Sequence, residues 1–254
     1  MNKLELLFSL KGITIIVTGA SSGLGLDQAI TLAECGARVY ALSRTGNIKT
    51  RQEREIPDNL IFKKLDVTDR SEVSAVFKEI GDQHGIDVLV NNAGITKRTR
   101  AEHVTAEDWE AIHRVNTDAV FYCCQAAYPY LKKSKHVGRI INISSMASYL
   151  GFSEVVPYNS SKSAVLGITR GLAVEWSADN ILVNSVSPGW FPSEMNLQVM
   201  DADRKEKILS RMPLHRFGKP IELSAMICFL ASPSATYITG QDFSVDGGAL
   251  AFGY

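Results

Sequence analysis

Short runs of apolar, mostly β-branched residues alternate along this chain with longer stretches whose apolar positions recur three and four residues apart. The first pattern marks strands and the second amphipathic helices. Strands are expected over residues 14–18, 38–43, 60–65, 86–90, 139–143, 181–186 and 242–245. Helices are expected over 24–34, from a cap at Asp69 to about residue 83, and over 105–133, 157–177, 193–210 and 221–231. Gly36 closes the first helix, and Asp69 with Glu72 three residues on has the spacing of a capping box. The strands are apolar at successive rather than alternate positions, as strands buried on both faces must be. The pattern therefore predicts an α/β domain whose parallel sheet is covered by helices on both sides. No linker, repeat or low-complexity tract divides the 254 residues, so residues 1–254 are read as one domain.

Composition narrows the function classes. Lys+Arg and Asp+Glu number 27 each, and the net charge of zero argues against a nucleic-acid binder, which needs basic excess to displace phosphate counterions. The same balance removes a general electrostatic case for a membrane surface. No apolar run approaches the ~18–20 residues of a membrane helix. Near the N-terminus Glu5 and Ser9 interrupt the apolar residues and no small-residue cleavage site follows, so no secretory signal is expected. Cys35, Cys123, Cys124 and Cys228 form no C-x-x-C pair, and the histidines show no H-E-x-x-H spacing. Free thiols in a reducing, cytoplasmic setting and no bound metal are expected.

The first strand runs into Thr18-Gly19-Ala20-Ser21-Ser22-Gly23-Leu24-Gly25 and then directly into a helix. Glycines there let the backbone turn tightly and approach a pyrophosphate, while the helix N-terminus offers unpaired N–H groups. The spacing is G-x-x-x-G-x-G, and the Lys-Ser/Thr of a nucleotide-hydrolase loop is missing. A dinucleotide site is the functional reading, and a purely structural Gly/Ser turn is the alternative. The second strand ends in Ser43-Arg44-Thr45 with no acid until Glu53. A carboxylate at that point would bind the ribose 2′-hydroxyl of NAD, whereas an arginine suits the 2′-phosphate of NADP. NADP(H) is therefore preferred and NAD(H) remains possible, with Arg44 as a solvated loop cation the competing reading.

Tyr158 and Lys162 stand four apart at the start of a predicted helix and share one face. A nearby ammonium favours the phenolate, which would bring a phenol with ordinary pKa ~10 toward neutral pH as a general acid/base. Ser145, just past the fifth strand, is expected at the same sheet edge, with its hydroxyl able to polarise a substrate carbonyl.

Taken together, Thr18-Gly19-x-x-x-Gly23-x-Gly25, Asn91-Asn92-Ala93-Gly94, Asn116, Ser145, Tyr158-x-x-x-Lys162 and Pro188-Gly189 resemble the classical short-chain dehydrogenase/reductase family over about residues 8–250. The resemblance implies a Rossmann-type, doubly wound, seven-stranded parallel sheet, a nicotinamide cofactor and a homotetramer. It assigns Tyr158 as general acid/base, Lys162 as its tuner and a nicotinamide-ribose ligand, Ser145 as substrate-positioning, and Asn116 as support for a water-mediated proton relay. Gly19, Ser21, Ser22, Gly23, Leu24 and Gly25 would hold the pyrophosphate, and Ser43 and Arg44 the 2′-phosphate. Asp66 and Val67 would contact the adenine, and Asn92, Ala93, Gly94, Pro188, Gly189 and Ser193 would line the rest of the cofactor. Asp66 as a turn cap and Asn91-Asn92 as structural groups are the competing roles.

Within the family, Ile95-Thr96-Lys97-Arg98, Ser145-Met146-Ala147-Ser148 and Pro188-Gly189-Trp190-Phe191 are similar to the gluconate 5-dehydrogenase and 2-deoxy-D-gluconate 3-dehydrogenase branch. A small sugar acid, keto-sugar or polyol is the expected substrate. Arg98, with Lys97, would hold a carboxylate and Trp190 would narrow the pocket. A 3-oxoacyl thioester on a carrier protein is the alternative substrate, and a non-catalytic dinucleotide-binding protein the alternative class.

Overall fold

In the computed structural model, which describes residues 3–49, 54–191 and 202–252, a single seven-stranded sheet organises the chain. The elements run α1 (Lys3–Phe8), β1 (Thr14–Thr18), α2 (Gly23–Glu34), β2 (Arg38–Ser43), β3 (Leu60–Lys64), α3 (Arg70–His84) and β4 (Val88–Asn91). They continue with α4 (Ala106–His113), α5 (Ala119–Leu131), β5 (Gly138–Ile143), α6 (Val156–Glu175), β6 (Ile181–Pro188), α7 (Ala202–Ser210), α8 (Pro220–Ala231) and β7 (Asp242–Val245). The spatial order is β3-β2-β1-β4-β5-β6-β7, with every pairing parallel. This is the doubly wound Rossmann-type architecture expected from the sequence, and the strand order reverses direction between β1 and β4.

Successive strand residues feed two cores. Ile15 and Val17 of β1 join Leu26, Ile30, Val39, Val90, Val186, Leu223 and Ile227 on the side of α2 and α8. Ile16, between them, joins Leu42, Phe77, Ile80, Leu89, Val120, Ile140, Val165 and Leu172 on the side of α3, α5 and α6. Both faces of β1 are wholly buried, which is why its sequence shows no polar alternation.

Two differences from the expected elements have physical causes. α1 is an additional helix, too short to show a helical period in sequence, and its end is held where Ser234 donates to the Leu7 carbonyl, 2.7 Å. The helix expected over 105–133 is instead α4 and α5 joined by a wide π-type turn over Arg114–Asp118, closed by Ala119 N–H to Arg114 C=O. Such a turn inserts one residue and rotates the next helix about its axis, which an average over apolar positions cannot register. Of the helix expected over 193–210, only α7 lies within the described residues, and Ser193 falls outside them. At α3, Asp69 caps as expected, accepting from Ser71 N and Glu72 N at 2.9 and 3.0 Å, but Glu72 reaches Asp66 N, 3.2 Å, instead of completing the box. Among the described residues no helix is long and apolar enough to cross a membrane.

Candidate active site

Because all strands point the same way, the segments that follow β1, β2, β4, β5 and β6 emerge on one edge. The glycines after β1 serve three different needs. Gly19 has φ +67°, and a Cβ there would stand 2.7 Å from the Ala93 Cα. Gly25 has ordinary φ, but a Cβ would meet Asn92 Nδ2 at 2.3 Å and Gly19 O at 2.5 Å, so it allows α2 to lie against the β4 loop. Gly23 has φ +56° and nothing within 4 Å, which leaves the turn open on that side. Ser22 is the N-cap of α2, yet its hydroxyl makes no capping bond, so the first N–H groups of the helix have no side-chain partner from it. This is a backbone cradle suited to a phosphate.

The segment after β2 folds back on the same turn through Lys49 N–H to Ser21 O, 2.9 Å. Ser43 accepts from Gly46 N at 3.2 Å, and Arg44 beside it is exposed, with no ion-pair partner among the described residues. Leu24 packs against the α2-side core, and Val67 is buried in the other. Asp66 spends one carboxylate oxygen on Thr68 N and Oγ1, 2.9 and 2.8 Å, so it closes a turn whatever else it contacts.

The asparagines after β4 divide their labour. Asn91 donates to Asn142 Oδ1 at 2.9 Å, its neighbour in register on β5, and Asn142 donates to Thr169 at 2.9 Å. Asn92 donates to Thr18 O and Gly19 O, 3.0 and 3.2 Å, and accepts from Gln28, 3.2 Å. Its side chain is a clamp on the glycine turn, so it lines that turn through structural bonds. Ala93 N–H donates to Thr18 Oγ1 at 3.1 Å, and Gly94 lies where a Cβ would be 3.4 Å from Asn116 Oδ1 and 3.5 Å from Lys162 Nζ.

That contact brings the β4 loop against two of the expected catalytic residues. The π-type turn between α4 and α5 sends Asn116 inward, fully buried, where its carboxamide is held on both sides. Oδ1 accepts from Ile95 N at 2.8 Å, and Nδ2 donates to Ile95 O at 2.9 Å and Ser161 Oγ at 3.0 Å. Ser161 in turn donates to Tyr158 O, 2.8 Å. Asn116 is thus a clamp between the β4 loop and α6. Lys162 Nζ donates to Ile143 O, the last carbonyl of β5, at 2.7 Å and stands 5.9 Å from the Tyr158 ring centroid. Ser145 caps the short turn after β5, accepting from Ala147 N at 3.1 Å, and its hydroxyl faces Tyr158. Ser144 ties β5 to α6 through Lys162 O, 3.1 Å.

Burial governs the titration of this pair. It pushes the Tyr158 phenol above its ordinary value, opposed by the Ser145 hydroxyl, and lowers the Lys162 ammonium to about 8. The expected lowering of the phenol by Lys162 does not dominate here. The ammonium is directed at a backbone carbonyl, and desolvation is the largest influence on Tyr158, ahead of the Ser145 hydroxyl.

The proposed substrate residues are distributed differently from expectation. Arg98 forms an ion pair with Glu154, whose backbone carbonyl also accepts from Thr99 N at 2.8 Å, and Lys97 pairs with Asp108 at 2.6 Å. Neither is a free cation awaiting a carboxylate; both tie down the loop after β4. Trp190 does face the region before α6, meeting Phe152 edge-on with centroids 6.2 Å apart. It also lines a cavity of about 440 Å³ with Phe191, Leu214, Arg216 and Asp246, a lining that does not include Ser145, Tyr158 or Lys162. Pro188 ends β6, and Gly189 permits the approach of β7, since its Cβ would stand 2.5 Å from Asp246 Cα. Sequence reasoning missed Asn142, Thr169 and Ser161, although a lone asparagine inside the apolar run 139–143 was a signal for the first.

Comparison with known proteins decides the family. Residues 19–249 match the family described as enoyl-(acyl carrier protein) reductase. The 3-oxoacyl-[acyl-carrier-protein] reductase of Thermotoga maritima is 39% identical over 245 residues, 95% of this chain and 99% of that protein. This chain belongs to the short-chain dehydrogenase/reductase family. As such it is an oxidoreductase. The 2-dehydro-3-deoxy-D-gluconate 5-dehydrogenase of Dickeya dadantii is 36% identical over 247 residues, 96% of this chain and 98% of that protein. Among solved structures, the gluconate 5-dehydrogenase from Burkholderia cenocepacia J2315, in complex with NADP and tartrate, superposes with a TM-score of 0.88 at 32% identity. The match covers 98% of this chain and 99% of that one.

The buried lysine makes a testable demand on stability. The folded chain holds the Lys162 proton less tightly than the unfolded chain does, so between pH 8 and 10.5 the unfolded state carries more protons and stability rises with pH. Urea unfolding of the wild type and Lys162→Met at pH 7.5 and 10.5 should show the wild type gaining about 3 kcal/mol on the variant, since each tenfold change in proton affinity is worth ~1.36 kcal/mol. A constant gap would contradict the assignment.

Proposed function

We propose that this chain is an NADP(H)-dependent dehydrogenase/reductase that interconverts a secondary alcohol and a ketone on a sugar acid, keto-sugar or related polyol. The observation that carries the reaction class is the convergence of Ser145, Tyr158, Lys162 and the Asn116 clamp at one end of the sheet. The non-catalytic alternative would leave an expensive buried lysine and a desolvated phenol without use.

The residues present fit a nicotinamide dinucleotide. The open turn at Gly23 and the N-terminus of α2 would take the pyrophosphate, and Arg44 with Ser43 the 2′-phosphate. Asn92 to Gly94 and Lys162 would border the nicotinamide end. When bound, the nicotinamide supplies or accepts the hydride. The chain's own task is the proton. Ser145 holds the substrate oxygen, and the neutral Tyr158 phenol, favoured by burial, gives its proton to that oxygen in reduction. In oxidation the phenolate takes the proton back. Lys162 stabilises that phenolate, and Asn116 holds the β4 loop and α6 in register while it happens. Asp66 and Val67 are proposed at the adenine end and Pro188, Gly189 and Ser193 near the nicotinamide carboxamide.

For the substrate, support comes from the gluconate-type relatives and from Trp190 with Phe152, whose aromatic bulk favours a compact molecule over a long acyl chain. Arg98 is proposed as a substrate contact only through release from Glu154. The 3-oxoacyl thioester is retained as the second reading because the Thermotoga relative bears that activity in its name at comparable identity. We take the working form to be a cytoplasmic homotetramer. The exposed Trp109, Phe121 and Val174 on α4, α5 and α6 provide apolar surface for assembly, and light scattering at four times the chain mass checks it.

Tyr158→Phe should lower turnover at least ~10²-fold, the scale of one general acid/base, while NADPH still binds; turnover within a few-fold of wild type would refute the role. Arg44→Ala should weaken NADPH about tenfold to a hundredfold, from ~1.5–3 kcal/mol for one charged hydrogen-bond partner, and leave NADH nearly unchanged. Equal losses for both cofactors would contradict the 2′-phosphate assignment. A panel of gluconate, keto-gluconates and polyols should give activity; silence across it with good turnover of a 3-oxoacyl thioester would transfer the assignment to that substrate.

A further inference from the structure

Away from the catalytic edge, two cysteines that no step of the reaction uses stand together. Cys35 ends α2 and Cys228 lies on α8, 193 residues apart in sequence, with their sulfurs 3.9 Å apart. Cys35 is exposed and Cys228 half-buried, whereas Cys123 and Cys124 are shut in the core. A disulfide needs a sulfur separation of about 2.05 Å, so closure asks for a movement of roughly 2 Å at most. Cys35 sits outside the regular helix, where side-chain rotation and a small backbone shift are cheapest.

We propose that Cys35 and Cys228 are an oxidative modification site, closing into an intrachain disulfide with a low-molecular-weight disulfide as oxidant and bracing α2 against α8. The Cys35 thiolate attacks one sulfur of the oxidant, forming a mixed disulfide and releasing one thiol. Cys228 then gives up its proton and displaces the second thiol from Cys35. Two protein thiols are oxidised and one external disulfide is reduced to two thiols, so atoms and electrons balance. The pair's own hydrogen bond supports this order of events. Donation from the Cys228 thiol draws Cys35 down to about 7 against the opposing burial and the Glu34 carboxylate, and Cys228 is pushed up. Cys35, the exposed sulfur, is the one an external disulfide can reach and is the attacking group, and the half-buried Cys228 is the resolving one. The brace lies at the far end of α2 from the glycine turn, about 18 Å along a twelve-residue helix, and so acts on stability rather than on the cofactor cradle.

The test is to equilibrate the purified full chain with an excess of oxidised glutathione, then map peptides without reduction and measure Tm. The expected result is a Cys35–Cys228 linked peptide lacking two hydrogens and a Tm rise of about 5–15 °C, as a bridge closing so long a loop implies. Reduction with dithiothreitol should reverse both. Cys228→Ser should accumulate glutathione on Cys35 with no rise in Tm, and Cys35→Ser should stay unmodified at Cys228. A wild-type chain that keeps glutathione on Cys35, stays fully reduced, or forms the link without gaining Tm would overturn the proposal.

Discussion

The common direction of the seven strands is the constraint on which the site depends. A parallel sheet needs a crossover for every strand, and these crossovers cover both faces with helices, so each strand must be apolar throughout. The same arrangement delivers every strand's C-terminal end to one edge. Gly19, Ser43, Asn92, Ser145 and Gly189 are far apart in sequence and neighbours there because β1, β2, β4, β5 and β6 run the same way. Between β1 and β4 the crossovers diverge to opposite sides, which opens the crevice where a ligand can lie.

Within that edge, burial sets the chemistry. Lys162 carries its ammonium into the protein interior and compensates with one carbonyl, Ile143 O, at the very end of β5. Its depressed affinity for the proton is the cost of that position. Tyr158 is shifted the opposite way by the same desolvation, so burial favours the neutral form of both groups. Asn116 clamps Ile95 and Ser161 beside them from a π-type turn in an otherwise helical stretch.

Local signals explain what could be read from sequence and what could not. The glycine turn, the Asp69 cap and the Tyr158–Lys162 spacing lie within single turns of chain, so residue type and spacing reveal them. The all-apolar strands announce a covered parallel sheet for the same reason. The break at Arg114–Asp118 is invisible because it changes helical phase without changing composition. The fate of Arg98 depends on Glu154, 56 residues away on a backbone with φ +68°, which no local pattern specifies. The clamp formed by Asn92 was not legible, since its partners Thr18, Gly19 and Gln28 arrive only once β1 and β4 have paired.

In the proposed reaction Tyr158 and Lys162, brought together by β5 and α6, act as one proton-handling unit. A double-mutant cycle on kcat with Tyr158→Phe, Lys162→Met and the combined variant measures that coupling directly. For a single unit, the double variant loses about as much turnover as the worse single variant, because either change already disables it. Losses that multiply, each variant costing the same in the presence or absence of the other, would mean the two residues work independently and would contradict it.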